Sequence, residues 1–312
     1  MDISSVNRQP LVSVIIPNYN HARYLEQRLD SVFNQTYQNF EVIILDDCST
    51  DNSLEVINRY KDNPHLSQIV VNETNSGSTF KQWDKGIHLA NGDVIWIAES
   101  DDYCELNMLE ELVNAYTHRK DTVLAYTPTI LVNDDGSRQN HPYVGRNQYI
   151  RGNRYIKHYL TLFNWIMNAS CVIFSKQAAL NVKDDYKKYK GAGDYLFWVE
   201  IARQGNVAIV NKPLAYFCRH AGTVTDRRVL DGTNSLEVKM IIDHIDSFIP
   251  IRGWRKHLVY AYHRNWHGGS YLSDEIYQKI AQMWQFDKYN TLVDKFLMTW
   301  ARRIRKYFNY FV

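Results

Sequence analysis

Short apolar runs alternate with helical segments along about the first hundred residues, and this alternation constrains the fold more than any other feature. Runs rich in β-branched residues predict four buried strands: LVSVIIP at 11–17, FEVIIL at 40–45, QIVV at 68–71 and VIWIA at 94–98. The segments between them carry apolar residues at helical spacing. Strands that alternate with helices predict a parallel sheet with helices on both faces, because such crossovers are right-handed.

The rest of the chain is predicted to be mixed at first and helical afterwards. A strand is expected over residues 122–132, a hairpin turn at 134–136, a strand over 169–174 and a helix from about Asp194. From about Asn234 the apolar spacing is helical to the end. We therefore expect an α/β fold with a Rossmann-like, mostly parallel central sheet flanked by helices, followed by a C-terminal helical region.

Charge and motif content exclude several functional classes. The 36 Lys and Arg residues against 34 Asp and Glu leave a net charge of +2, so no nucleic-acid partner is expected. The sequence has no P-loop, no G-x-G-x-x-G after the first strand and no H-E-x-x-H. It has no run of 18 apolar residues, and its four cysteines form no C-x-x-C pair. We therefore expect a cytoplasmic protein with reduced thiols.

Polar residues follow three of the predicted strands, at 17–20, 46–47 and 99–102. Ligands of parallel α/β sheets bind at this carboxyl edge, so the three segments are expected to converge there. Glu99, Asp101 and Asp102 place three acids within four residues, and their repulsion favours a bound Mn²⁺ or Mg²⁺. Capping of the following helix explains the acids equally well, and both interpretations stay open.

Five motifs occur in order between residues 11 and 225. They are VSVIIPNYN, NQTYQNFEVIILDDCSTDNS, NSGSTFKQWDKGIHLANGDVIWIAESDDY, GDYLFWVEIA and PLAYFCRHAGTVT. In this order they resemble the family 2 glycosyltransferases, inverting nucleotide-sugar enzymes of the GT-A fold. The resemblance implies a GT-A catalytic domain over residues 1–230, with a nucleotide-sugar half at about 1–103 and an acceptor half at about 104–230. Residues 231–312 would then form a C-terminal helical extension.

The resemblance also implies that the nucleotide contacts come from the three strand ends and from one helix. The implied nucleotide-binding residues are Pro17, Tyr19, Asn20, Asp46, Asp47, Lys81 and Asp101. Asp47 would accept the ring N–H of uracil or thymine, Asp101 would contact the ribose, and Lys81 would face the diphosphate. Turn formation, helix capping and a solvated lysine are the alternative interpretations of these residues.

The implied catalytic and metal-binding residues lie further along the chain. Asp194 would be the general base that deprotonates the acceptor hydroxyl, and its alternative role is the N-cap of the following helix. Asp102 and His220 would hold the cation. The other residues expected to contact the diphosphate or the sugar are Glu99, Trp83, Arg219 and Asn168.

Several positions depart from the pattern of the family. Glu99 stands where many members carry Asp, Lys81 and Trp83 stand where many carry Arg-Asn, and Gly193 replaces a Glu. These departures keep an alternative open, a catalytically silent GT-A module that binds nucleotide sugar or glycan. A nucleotidyltransferase is disfavoured, because NYNHARY supplies no glycine-rich basic loop for a triphosphate.

The expected function is that of a metal-dependent inverting glycosyltransferase. It would move a sugar from a UDP- or dTDP-sugar to a saccharide or lipid-linked saccharide acceptor, in the synthesis of bacterial surface polysaccharide. The C-terminal segment repeats aromatic residues at helical spacing and carries four basic residues within 302–306. Such a helix suits an anionic membrane surface, so peripheral contact at the inner face of the plasma membrane is expected, with docking on the catalytic domain as the alternative.

Overall fold

Two sheets surrounded by helices make up the part of the chain that a computed structural model describes, residues 9–140, 146–219, 231–267 and 272–300. The strands are β1 Val12–Asn18, β2 Phe40–Asp46, β3 Leu66–Val71, β4 Val94–Ile97, β5 Tyr103–Cys104, β6 Thr122–Tyr126, β7 Thr129–Asn133, β8 Arg138–Asn140, β9 Gln148–Arg151, β10 Val172–Ser175, β11 Asn206–Ile209 and β12 Ala215–Arg219. The helices are α1 Ala22–Phe33, α2 Ser53–Asn58, α3 Thr79–Leu89, α4 Met108–His118, α5 Gly152–Tyr155, α6 Lys176–Leu180, α7 Gly193–Ala202, α8 Thr233–Phe248, α9 Trp254–His267, α10 Asp274–Met283 and α11, residues 292–300. A π-helical turn at Ile156–Leu160 and 3₁₀ turns at Ala169–Cys171 and Asp184–Lys188 complete the regular structure.

The larger sheet has eight strands in the order β3-β2-β1-β4-β10-β6-β11-β9. Its first four strands are parallel, which confirms the prediction made from their alternation with helices. Every residue of β1 is buried, because β1 lies between β2 and β4 and helices cover the sheet. A continuous apolar run is the sequence pattern of such a doubly covered strand. Strand β10 pairs antiparallel with both β4 and β6 and joins the two halves of the sheet.

The single strand predicted over residues 122–132 is wrong. The segment forms β6 in the larger sheet and β7 in the smaller sheet, whose order is β5-β12-β7-β8. Pro128 lies at the break, where its ring removes a ladder N–H and restricts the residue before it. The strand predicted over 169–174 begins later as well, since residues 169–171 form a 3₁₀ turn. The predicted hairpin turn is confirmed, with Gly136 at φ 79° between β7 and β8.

The predicted helical character after Asn234 is confirmed in the described residues, and two buried histidines contact residues outside their own helix. His263 stacks on Trp284 at 4.4 Å between ring centroids, and its Nε2 lies 3.0 Å from the carbonyl of Thr161. His267 pairs with the Ser235 hydroxyl at 2.8 Å. Burial lowers the pKa of His263 to about 3 and that of His267 to about 4, so both rings are neutral near pH 7.

The boundary predicted at residues 230 and 231 stays a prediction, since residues 220–230 lie outside the described part of the chain. Among the described helices, none combines the length and the apolar character needed to cross a bilayer.

Candidate active site

The carboxyl ends of β1, β2 and β4 lie side by side at one edge of the larger sheet. Parallel pairing sets Asn18 opposite Asp46, and the N–H of Asp47 donates to the Asn18 carbonyl at 2.8 Å. On the other side of β1, the N–H of Ala98 donates to the carbonyl of Ile15 at 2.8 Å. The segments that follow these strands therefore meet at one place, as parallel strand geometry requires.

The loop after β1 is held against the loop after β2. Asn20 has a φ of 56°, in the left-handed region that asparagine tolerates, and its Oδ1 accepts the N–H of Thr50 at 2.7 Å. Pro17 is buried within β1, whereas the side chain of Tyr19 is 45% exposed at the edge. Tyr19 therefore presents a ring on which a base could stack, and its predicted nucleotide contact stays a prediction.

Protein donors occupy the carboxylate of Asp46. Its Oδ2 accepts the side-chain amide of Asn18 at 2.8 Å, and its Oδ1 accepts the N–H of Ser49 at 2.8 Å. The side chain is fully buried. Asp46 thus fixes the turn after β2 and joins it to the end of β1.

The carboxylate of Asp47 accepts more hydrogen bonds from protein groups than that of Asp46 does. Its Oδ1 accepts hydrogen bonds of 2.6, 2.9 and 2.9 Å from Asn72 Nδ2, the N–H of Ser76 and Gln82 Nε2, and its Oδ2 accepts the Ser76 hydroxyl at 2.7 Å. A carboxylate offers about four lone-pair positions. Among the described contacts Oδ2 accepts one donor, so a base N–H would have to approach this oxygen, and the contact of Asp47 with the base stays a prediction.

The acid loop after β4 holds one fully enclosed carboxylate, that of Asp102. Its Oδ2 accepts Asn168 Nδ2 at 2.6 Å and the Ser170 hydroxyl at 2.7 Å, and its Oδ1 accepts the N–H of Cys218 at 3.0 Å. Asp102 is 2% exposed, whereas Asp101 is half-buried. The structure therefore joins Asn168 to Asp102, two residues that were predicted to contact the sugar and the metal.

Glu99 and Trp83, two of the residues that depart from the family pattern, contact each other. Trp83 Nε1 donates to Glu99 Oε1 at 2.8 Å, and the indole is 2% exposed. Burial and the neighbouring charge of Asp101 raise the pKa of Glu99 to about 8. Burial and Asp101 likewise raise the pKa of Asp102 to about 7. The negative charge of this loop is therefore poorly compensated.

Lys81 is exposed, and its Nζ donates to the carbonyl of Ser76 at 3.1 Å. Arg219 ends β12 with an exposed side chain. Their predicted diphosphate contacts stay predictions. His220 lies outside the described residues.

Asp194 lies in the first turn of α7, which begins at Gly193 with Ala192 as its N-cap, so Asp194 is not the cap. Asn164 Nδ2 donates to Asp194 Oδ2 at 3.0 Å. Burial raises the pKa of Asp194 to about 6. Such a carboxyl is ionised at pH 7 but retains appreciable proton affinity, as a general base requires.

Gly193 has a packing reason to be glycine. A Cβ at this position would lie 2.5 Å from the ring of Phe80 and 2.5 Å from the carbonyl oxygen of Tyr186. The Phe80 ring packs edge-on against Trp83 at 5.2 Å. The departures at Gly193, Trp83 and Glu99 are thus parts of one packed arrangement.

Arg28 is a site residue that the sequence analysis missed. It is fully buried on α1, and its Nε donates to the carbonyl of Glu99 at 2.9 Å. Its charge lowers the pKa of Glu99 and of Asp102, against the larger opposite effect of burial. The sequence carries a signal for this role, because Arg28 falls on the apolar stripe of α1, beside Leu25 and Leu29, where a charged residue needs a buried partner.

Sequence comparison assigns the chain to a family. Residues 13–182, more than half of the chain, match the profile described as Glycosyl transferase family 2. The chain belongs to glycosyltransferase family 2.

Relatives of this family 2 chain include a hyaluronan synthase of Pasteurella multocida, 30% identical over 254 residues, which are 80% of this chain and 23% of the relative. The chain spans about a quarter of the length of the curated relatives that match most of it. Among solved structures, Staphylococcus aureus TarS 1–349 in complex with UDP-GlcNAc has a TM-score of 0.63 at 22% identity and covers 82% of this chain and 72% of that one. A mannosyltransferase from Pyrobaculum calidifontis in complex with GDP-Man and Mn²⁺ has a TM-score of 0.55 at 15% identity, over 96% of this chain and 81% of that one.

The likeness to these two structures shows the fold alone. Because they are GT-A glycosyltransferases, the predicted GT-A fold of this family 2 chain is confirmed.

Replacing Arg28 in this family 2 chain tests whether its charge compensates the acid loop. We expect Arg28→Met to lower the free energy of unfolding by about 3 kcal/mol at pH 8.5, because it leaves buried carboxylates without their counter-charge. The loss should be smaller at pH 6, where Glu99 and Asp102 take up protons. Arg28→Lys keeps the charge and should lose less at pH 8.5. Urea unfolding at pH 8.5 and pH 6 measures the free energy of unfolding of each variant. If Arg28→Met loses the same free energy at both pH values, Arg28 contributes packing and not charge compensation.

Proposed function

We propose that the chain is an inverting glycosyltransferase that moves a sugar from a UDP-sugar to a saccharide hydroxyl, in the synthesis of bacterial surface polysaccharide. The observation that carries the proposal is that one short segment holds both key acids. Asn164 donates to Asp194, and Asn168 donates to Asp102. The Cα atoms of Asn164 and Asn168 are at most roughly 14 Å apart, because four residue steps cannot span more. One short segment thus contacts both the proposed base and the acid loop, which supports their action on one sugar nucleotide.

The donor is proposed to be a UDP-sugar bound along the carboxyl edge of the larger sheet. Support comes from the TarS complex with UDP-GlcNAc and from the family of the chain. The exposed ring of Tyr19 and the acid loop would lie at the two ends of the nucleoside diphosphate. The thymine of a dTDP-sugar presents the same imide edge as uracil, so the identity of the nucleobase is the part of the donor that most needs testing.

Asp194 is proposed to be the general base. Its pKa of about 6 makes it a carboxylate at pH 7 that can accept the proton of the acceptor hydroxyl as that oxygen attacks the sugar. The bond from the sugar to the diphosphate breaks on the opposite side, so the anomeric configuration inverts. Asn164 orients the carboxylate by its hydrogen bond to Oδ2.

A divalent cation, Mn²⁺ or Mg²⁺, is proposed to bind beside the acid loop, and when bound it would neutralise charge on the diphosphate. The raised pKa values of Glu99 and Asp102 fit a site that lacks positive charge. The described residues contain no cluster of three or more metal-binding side chains, so phosphate oxygens would have to supply the other ligands of a cation bound here. Asp102 is 2% exposed, whereas the neighbouring Asp101 is half-buried, so Asp101 is proposed as the more accessible ligand. The mannosyltransferase complex with Mn²⁺ supports a cation.

A silent scaffold is the alternative, and it was suggested by the departures at Gly193 and Trp83. Phe80, on α3, packs edge-on against Trp83, and its ring leaves no room for a Cβ at Gly193. Packing therefore accounts for both departures, in an active enzyme and in a silent module alike.

Asp194→Asn tests the proposed base. We expect turnover to fall by at least about 100-fold with UDP binding unchanged, because the amide cannot accept the proton. In the wild type, kcat/KM should fall below about pH 6, as Asp194 becomes protonated. Asp185→Asn removes an exposed carboxylate and is the matched control. Radiolabelled sugar transfer measures turnover, and an Asp194→Asn protein that keeps most of its turnover would contradict the assignment.

Peripheral contact with an anionic membrane is proposed for α11. Leu292, Val293, Phe296 and Trp300 are 84, 60, 69 and 44% exposed, and helical spacing sets them on one stripe about 100° wide. His257 Nδ1 lies 2.9 Å from the carboxylate of Asp294, on the buried side of the helix. The four basic residues within 302–306 complement anionic lipid and lie outside the described residues. The inner face of the plasma membrane is the proposed location.

Glutamates on this stripe test the membrane contact. We expect the Leu292→Glu and Phe296→Glu double variant to lose most of its flotation with vesicles of phosphatidylglycerol and phosphatidylcholine, because charge on the stripe opposes its insertion. Gln278→Glu with Gln282→Glu adds the same two charges to exposed positions of α10 and should keep binding. Equal flotation of all three proteins, or none for the wild type, would refute the contact.

A further inference from the structure

Glu237, on α8, makes three hydrogen bonds to the segment that leads into the helix of Asp194. Its Oε1 accepts the N–H of Lys190 at 2.7 Å, and its Oε2 accepts the N–H groups of Gly191 and Ala192 at 2.9 and 2.8 Å. Glu237 is 9% exposed. These donors precede the first turn of α7, where backbone N–H groups have no partner within the helix and favour a negative charge.

The segment that Glu237 holds has little intrinsic order. Gly191 and Gly193 flank Ala192, and glycines lose more backbone entropy on ordering than other residues. Asp194 follows directly, so a shift of the segment moves its carboxylate. The three hydrogen bonds supply the order that the sequence Gly-Ala-Gly lacks.

Glu237 is itself fixed by the C-terminal helices. Its neighbours Val238 and Ile241 are buried in the core, and Ser235 on the same helix bonds to His267. Trp284 Nε1 also donates to the carbonyl of Ser235 at 3.4 Å. The position of the Glu237 carboxylate therefore depends on packing within the C-terminal region as well as on contacts between α8 and α7, such as that of His244 with Glu200.

We infer that Glu237 is a positioning residue for Asp194, so that the C-terminal helices complete the active site of the GT-A fold. The inference rests on the proposed role of Asp194 as the base. Glu237 would act on Asp194 in two ways. Its hydrogen bonds hold the backbone of residues 190–192 in place, and its negative charge acts on the Asp194 carboxylate. Burial is the main cause of the raised pKa of Asp194, and the charge of Glu237 adds to it.

Three substitutions separate these two effects. Glu237→Ala removes the hydrogen bonds and the charge, Glu237→Gln removes the charge and keeps one acceptor oxygen, and Glu237→Asp keeps the charge on a shorter side chain. Glu275→Ala, at an exposed glutamate of α10, is the matched control. All are measured as full-length protein with the UDP-sugar and acceptor used for the wild type, with folding checked by circular dichroism.

We expect Glu237→Ala to lower kcat by about tenfold to a hundredfold with little change in the KM of the donor, because a displaced base affects the chemical step. Glu237→Gln should retain more activity. In both variants the acidic limb of the kcat/KM profile should move to lower pH, and in Glu237→Asp it should stay in place while kcat falls. If Glu237→Ala does not fold, kcat and the pH profiles of Glu237→Gln and Glu237→Asp still test the inference.

A structural role alone would reduce the yield of folded protein and leave kcat per nucleotide-binding site and the acidic limb unchanged. That result would overturn the inference. Asp194→Asn, measured in parallel, separates this failure from that of the proposed function. If Asp194→Asn abolishes turnover while the Glu237 variants behave as wild type, only the positioning role is wrong. If Asp194→Asn remains active, the base assignment and the inference fall together.

Discussion

The buried carboxylate of Asp102 joins three parts of the chain that are far apart in sequence. It lies at the end of the loop between β4 and β5, and its donors come from Asn168, from Ser170 and from the backbone of β12. An enclosed carboxylate is tolerated only when such hydrogen bonds replace its water. Because the segment that supplies two of these donors also supplies Asn164, the contact that secures the acid loop also sets where Asp194 lies.

Charge is the reason to propose a cation at this edge of the sheet. Three carboxylates lie within four residues, and Arg28 beneath them supplies one fixed positive charge. The raised pKa values of Glu99 and Asp102 show that this compensation is partial. A divalent cation would complete it, and the cation would also stabilise the leaving group. The same imbalance that makes the loop costly to fold thus prepares it for its proposed ligand.

Local patterns were enough to predict the parallel half of the sheet and its polar edge. Buried parallel strands appear as continuous apolar runs, and the acids that follow them are visible in the sequence. The break at Pro128 was missed although the proline is visible within the sequence TVLAYTPTILVN, and which sheet each of β6 and β7 joins depends on distant partners. The partners of Asp47 and the contact of Glu237 with residues 190–192 join distant segments, and no local period reports them.

A nucleoside diphosphate is proposed to bind at this edge together with a cation. The most direct measurement is the thermal shift of the purified protein with UDP, dTDP, GDP and CDP, each with Mn²⁺, Mg²⁺ or EDTA, beside an Asp101→Asn variant. Binding to the folded state raises the unfolding temperature by mass action. We expect a rise with UDP that requires the metal and is lost in Asp101→Asn. No rise with any nucleotide, in protein shown to be folded, would contradict it.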